Sequence, residues 1–206
     1  MALTNYSDLK TSVANYLGRS DLTSQIPDFI SLAEIRLNRS LRIRQMLETA
    51  TASTTGGDAT VGLPSDFLQI RDLFIVGNPR TSLSFLSPSA FSRDARADQS
   101  GKPVFYTMNG AEFILAPLPD TNYTISMLYY AKPTALSDAA PSNVFMANAA
   151  DCLLYGALIE AEPFLMNDAR IAVWSSLFAN SIQSLNDSDD ASEYSGVPLT
   201  MSVTTR

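Results

Sequence analysis

Histidine is absent from the 206 residues, and with it the commonest general base and the commonest zinc ligand. Serine-histidine-acid triads, two-histidine metal sites and histidine acid/base chemistry are therefore excluded. Cysteine occurs once, at Cys152, and cannot close an internal disulfide. No run approaches the roughly 18 consecutive apolar residues that a membrane span needs. The most apolar stretch, Cys152–Ile159, is soon followed by Glu160, Glu162 and Pro163, so no membrane partner is expected. Positive charge is short as well. Lysine plus arginine number 14 against 21 aspartates and glutamates, a net charge of −7, which argues against an electrostatic grip on nucleic acid by the whole protein. The N-terminal segment lacks a basic start, an apolar run and a small-residue cleavage site, so the expected place of synthesis is a cytosol-like compartment. Missing too are a glycine-rich phosphate loop, a paired-cysteine knuckle and a strand-turn-helix nucleophile elbow. Carboxylate-pair catalysis survives this list because acids are plentiful, but no pair sits in a context that singles it out. No catalytic, cofactor-binding or metal-ligating residue is assigned, and no enzyme is expected.

What is present is a chain of 46% apolar composition, long enough for a helical core carrying a smaller β module. Tyr6, Leu9, Val13 and Tyr16 recur at helical spacing and Gly18 follows as a stop. A second helix after Ser24 takes Pro27 in its first turn and carries the stripe Ile26, Ile30, Ala33, Leu37, Leu41. Arg36, Arg39 and Arg42 lie mostly off that stripe and Arg44 adds to them, making one end basic in an acidic protein. Such a cluster is either a salt-bridged helix face or a contact for a partner.

From residue 48 the texture changes to threonine, serine and glycine. Strands are expected around Thr54–Asp58, over Leu68–Val76 and over Thr81–Leu86, with a short helix after Ser87-Pro88. A hairpin is expected around Asn109-Gly110, and a strand covered on both faces from Tyr123 to Tyr130. The run Lys132–Asn143 is a proline- and serine-rich connection. Helices are then expected from about Phe145 to Ala161, with a kink or break at Pro163, and from Asp168, as its cap, to about Leu185. The fold class is α+β: a helical bundle of N- and C-terminal helices (1–47 and 144–187), an inserted antiparallel β module (48–143) and an extended C-terminal tail (188–206). That tail is polar, with Tyr194, Val197, Leu199 and Met201 among its few apolar points, and has the composition of a segment that orders on a partner. Cys152 reads as a core residue, Trp174 and Phe178 as helix packing, and Tyr123, Tyr129 and Tyr130 as sheet packing rather than a stacking platform for single strands.

Four blocks in order carry a family resemblance. They are Tyr16–Leu22 through Ile26–Ile30 to Ala33–Arg39; Leu63–Leu68; Leu115–Asp120 with Tyr123-Thr124 and Tyr129–Ala131; and Leu154–Leu165. Over roughly residues 5–185 the chain resembles the head-to-tail adaptor (connector) proteins of tailed bacteriophages, particularly of short-tailed phages with elongated heads. The resemblance implies a virion protein made in the host cytoplasm. Its subunits would form a homo-oligomeric ring, a dodecamer, joining portal to tail around a channel for DNA ejection. It implies as partners the chain itself, the portal protein and tail nozzle or tail fibre proteins, with DNA only in passing. Tyr194, Val197, Leu199 and Met201 become portal-binding candidates, and Arg36, Arg39, Arg42 and Arg44 candidates for the subunit interface or the channel. The rival readings are another tail-completion component, a DNA-binding virion component and a virion-associated hydrolase.

Overall fold

In a computed structural model the described residues are 3–94, 99–165 and 170–193. Chain order begins with α1 (Tyr6–Leu17), α2 (Ile26–Ser40), β1 (Leu47–Ser53), β2 (Thr60–Gly62), β3 (Phe67–Ile75), β4 (Thr81–Ser82), β5 (Ser84–Phe85) and α3 (Pro88–Asp94). It continues with β6 (Ser100–Gly101), β7 (Phe105–Asn109), β8 (Glu112–Ala116), β9 (Leu118–Pro119), β10 (Thr124–Ala131), α4 (Val144–Asn148), α5 (Ala150–Leu165) and α6 (Ile171–Glu193). The chain is α+β and divides into two compact units: Met46–Lys132 is one, and the described residues up to Gln45 and from Pro133 form the other.

In the helical unit, α1 starts at Asn5, whose Oδ1 accepts from the Asp8 N–H at 2.9 Å, and stops at Gly18 with φ +67°. The α2 stripe Ile26, Ile30, Ala33, Leu37 and, past the helix, Leu41 is buried throughout. Helix α5 is the centre of the unit. Residues from Cys152 through Glu162 are buried on nearly every side, which is why its apolar pattern is broad rather than striped.

Three helical expectations need correction. The helix expected from Phe145 to Ala161 is two, because Ala149 leaves the helical region at φ −144°, ψ 39°. Asn148 Nδ2 donates to the Val144 carbonyl at 2.9 Å, side-chain competition that helps end α4. Of the kink or break expected at Pro163, the break is absent, since α5 continues through the proline to Leu165. And α6 runs to Glu193, so residues 188–193, expected in the extended tail, are helical. There the Asp189 carboxylate accepts from the Arg44 backbone N–H at 3.1 Å, and extending a formed helix is cheap. The expected cap Asp168 lies outside the described residues. Of α6 only Phe178 is fully buried among the described residues; Trp174, Leu177, Ile182 and Leu185 are half-buried.

The connection Pro133–Asn143 is bound to α1 and α2. The Tyr6 N–H donates to the Pro141 carbonyl at 2.8 Å, Lys10 pairs with Asp138 at 2.6 Å, and Leu136 N–H donates to Glu34 at 3.1 Å.

In the β unit two four-stranded sheets run in the orders β1-β10-β3-β4 and β2-β8-β7-β5. Val61, Leu73, Ile75, Leu83, Tyr106, Phe113, Leu115, Ile125, Met127 and Tyr129 form its core. Strand β10 lies between β1 and β3 and buries residues on both faces, which accounts for its two-sided apolar pattern. The β7–β8 hairpin pairs Asn109 with Glu112 and turns at Gly110-Ala111, one residue beyond the expected Asn109-Gly110, with Gly110 at φ +60°. The single strand expected over Thr81–Leu86 is split at buried Leu83: β4 pairs antiparallel with β3, and β5 crosses to pair parallel with β7. With β6–β9 also parallel, the module is antiparallel apart from these two short pairings.

Candidate interaction surfaces

The four arginines do not form one patch. Arg36 pairs with Glu160 of α5, and its guanidinium lies 5.9 Å from the centre of the Phe178 ring. Arg42 turns back on the end of α2, donating from Nη1 to the Asn38 carbonyl at 2.8 Å and the Leu41 carbonyl at 2.5 Å, where a cation suits the helix dipole. Arg44 holds Asp189 of α6, with Nε 3.7 Å from the carboxylate. Arg36 and Arg39 share a groove lined also by Leu32, Ile35, Ser40 and Glu160. Leu32 and Ile35 are 46% and 39% exposed, two aliphatic side chains in water in the groove that Arg36 and Arg39 also line.

The expected portal contacts Tyr194, Val197, Leu199 and Met201 lie outside the described residues. The three tyrosines serve the sheet: Tyr129 is buried and stacks on Phe67 at 5.8 Å, Tyr130 Oη accepts from Arg71 at 2.9 Å, and Tyr123 Oη donates to Asp120 at 2.7 Å.

Two buried carboxylates went unremarked at the level of sequence. Glu34 accepts from the Leu136 N–H and from Asn143 Nδ2, the latter at 2.7 Å. Glu162 is wholly buried, accepting from Trp174 Nε1 at 3.1 Å and pairing with Arg170 Nε at 3.2 Å. The signal for both was an acid on an apolar face, four residues after Ile30 and after Leu158 respectively. Both fasten chain segments to helices by satisfying buried donors. Cys152 has 0% exposure, and burial, with Asp151 adding to it, pushes its thiol up to about 12, which suppresses thiolate chemistry. Among the described residues no group of three or more acids or cysteines is placed to hold a metal, and no helix is long and apolar enough to cross a membrane.

The helical unit carries an exposed aliphatic-basic groove and is interrupted in sequence by a β unit of two four-stranded sheets and one short one. The SU10 adaptor protein family matches residues 4–202, covering both units. The protein is thus a structural component of the phage virion, of the head-to-tail adaptor class. It belongs to the SU10 adaptor protein family. No curated protein matches the chain.

Proposed function

We propose that the chain is the subunit of a ring of twelve copies that joins the portal of a phage head to the tail and surrounds a channel for DNA. The observation that carries this reading is the family match across both units. A closed ring needs heterologous contacts, in which each subunit presents two different faces. The α2 groove with Leu32, Ile35, Arg36 and Arg39 is the proposed first face. Arg42 and Arg44 do not line it; their charges are committed within the subunit, to the carbonyls at the end of α2 and to Asp189. The net charge of −7 suits a passage that must release DNA rather than hold it. Tyr194, Val197, Leu199 and Met201 are the proposed portal anchors, and tail nozzle or tail fibre proteins the partners below. Subunits are made in the host cytoplasm, and the work is docking and sealing, without chemistry or cofactor.

Size exclusion with light scattering, on the chain alone and then mixed with the portal protein of the same phage, tests the proposal. The expected result is a discrete portal complex that is lost when residues 194–206 are deleted, a cut that spares α6. A chain that stays unbound in every mixture sinks the portal reading and favours a different tail-completion role.

A further inference from the structure

We propose that β1 is a pairing edge for a second copy of this chain, bound antiparallel across a two-fold axis. Every other free edge in the β unit is blunted in one of the ways proteins use against strand addition. Strand β2 is three residues long, and β4, β5, β6 and β9 are two each. The stretch of β3 left uncovered by β4 carries Arg71 and Asp72, and its pairing with β10 shifts register twice. Strand β1 has none of these devices beyond Glu48 near its start. It is seven residues long, pairs with β10 in unbroken register, and holds neither charge, proline nor glycine from Thr49 to Ser53.

The parity of the ladder tells which groups face out. The Thr54 N–H donates to the Tyr123 carbonyl at 2.9 Å, so in the alternation of antiparallel pairs Ala52, Ala50 and Glu48 also bond to β10. The N–H and C=O groups of Thr49, Thr51 and Ser53 therefore point away from the sheet, and all three residues are exposed. Among the described residues no backbone hydrogen bond outside the strand ladders involves them.

The occupant follows from self-complementarity. Centred on Ala50, an antiparallel copy sets Thr49 against Thr51 of the second chain, so two outward-facing residues exchange both hydrogen bonds. Threonine pairs across strands are favourable. Glu48 then meets Ala52, and the two glutamates lie at opposite ends of the pair instead of facing each other. The contact would join two four-stranded sheets into one continuous sheet. Being isologous it closes at two copies and cannot propagate round a ring whose subunits all point one way. It therefore goes beyond the ring reading: it belongs to the chain before assembly and competes with ring growth.

Sedimentation velocity on the full chain at rising concentration is the test, with a monomer passing to a dimer as the expected result. Thr51→Pro removes one outward N–H and leaves the β10 ladder whole, so it is expected to fold normally, checked by circular dichroism, and to lose the dimer. Thr51→Lys, free of any backbone restriction, is expected to lose it too. Amide exchange at Thr49 and Thr51 should slow as the wild-type chain is concentrated. Leu32→Asp, aimed at the α2 groove, should leave the dimer intact, so failure of the ring reading would not remove this one. A wild-type chain that remains monomeric throughout, or a folded Thr51→Pro chain that still dimerises, overturns the proposal.

Discussion

Gly156 of α5 lies so close to Ala33 of α2 that a Cβ added to the glycine would come within 3.0 Å of the alanine's own Cβ. The same atom would stand 3.3 Å from Phe178 Cε2 of α6, so the three helices meet at a point with no room for a methyl group. Ala33 Cβ is fixed to the backbone and can yield only if α2 moves.

Gly156→Ala should therefore destabilise the chain, although alanine is the better helix former by about 1 kcal/mol. Overpacking costs typically 1–3 kcal/mol, leaving a net loss of about 1 kcal/mol, and Gly156→Val should lose more. Urea midpoints for the two variants check both the sign and the order.

Glu34→Ala should cost about 3 kcal/mol, because it strands the buried Leu136 N–H, leaves the Asn143 amide with the Thr134 carbonyl alone and opens a void. Glu34→Gln keeps an acceptor and should cost about 1 kcal/mol. Chemical denaturation separates the two.

Trp174 is the single tryptophan, so its emission reports on the packing of α6 against α5. Phe178→Ala should cost about 3–4 kcal/mol. It should also shift Trp174 emission to the red at denaturant concentrations the wild type withstands. An unchanged spectrum and midpoint would mean that α6 is held by its polar contacts, through Glu162 and Arg44, and not by Phe178.

Stability should fall as pH rises through the alkaline range. In the unfolded chain Cys152 loses its proton near its ordinary value of 9.0, whereas in the folded chain burial holds the thiol neutral up to about 12. Tyr129 behaves alike, raised from 10.0 to about 12 by burial and by donating to the Asp66 carboxylate at 3.1 Å. Between those values the unfolded state binds fewer protons, so stability is whole below about pH 9 and drains away towards pH 12. Denaturation midpoints from pH 8 upward follow the loss, and Cys152→Ala should flatten its lower part. A maleimide should leave the native thiol unmodified and label it on unfolding.

Periodicity made some of this architecture legible. Ile26, Ile30, Ala33, Leu37 and Leu41 recur at the pitch of a helix, and all five are buried. Gly18 and Gly110 stand where the backbone takes positive φ, a demand local enough to be written in one or two residues. The Arg36–Arg44 cluster was visible as charge, but not as four separate fates. Its members are parted by the carbonyls at the end of α2, close by in sequence, and by Glu160 of α5 and Asp189 of α6, which lie 124 and 145 residues from the arginines they hold.

The sequence by itself determined the α+β class, the main helices and strands though not all their ends, the apolar faces of α1 and α2 and, through the order of four short blocks, the adaptor family. Those properties depend on neighbours one helical turn or one pleat away. Only the tertiary structure decided that the strand after Thr81 divides at Leu83, that α6 reaches Glu193, and that Glu34 serves a backbone group 102 residues distant. Each depends on a partner brought close by folding, and the free energy of such a contact is not encoded in the residues beside it.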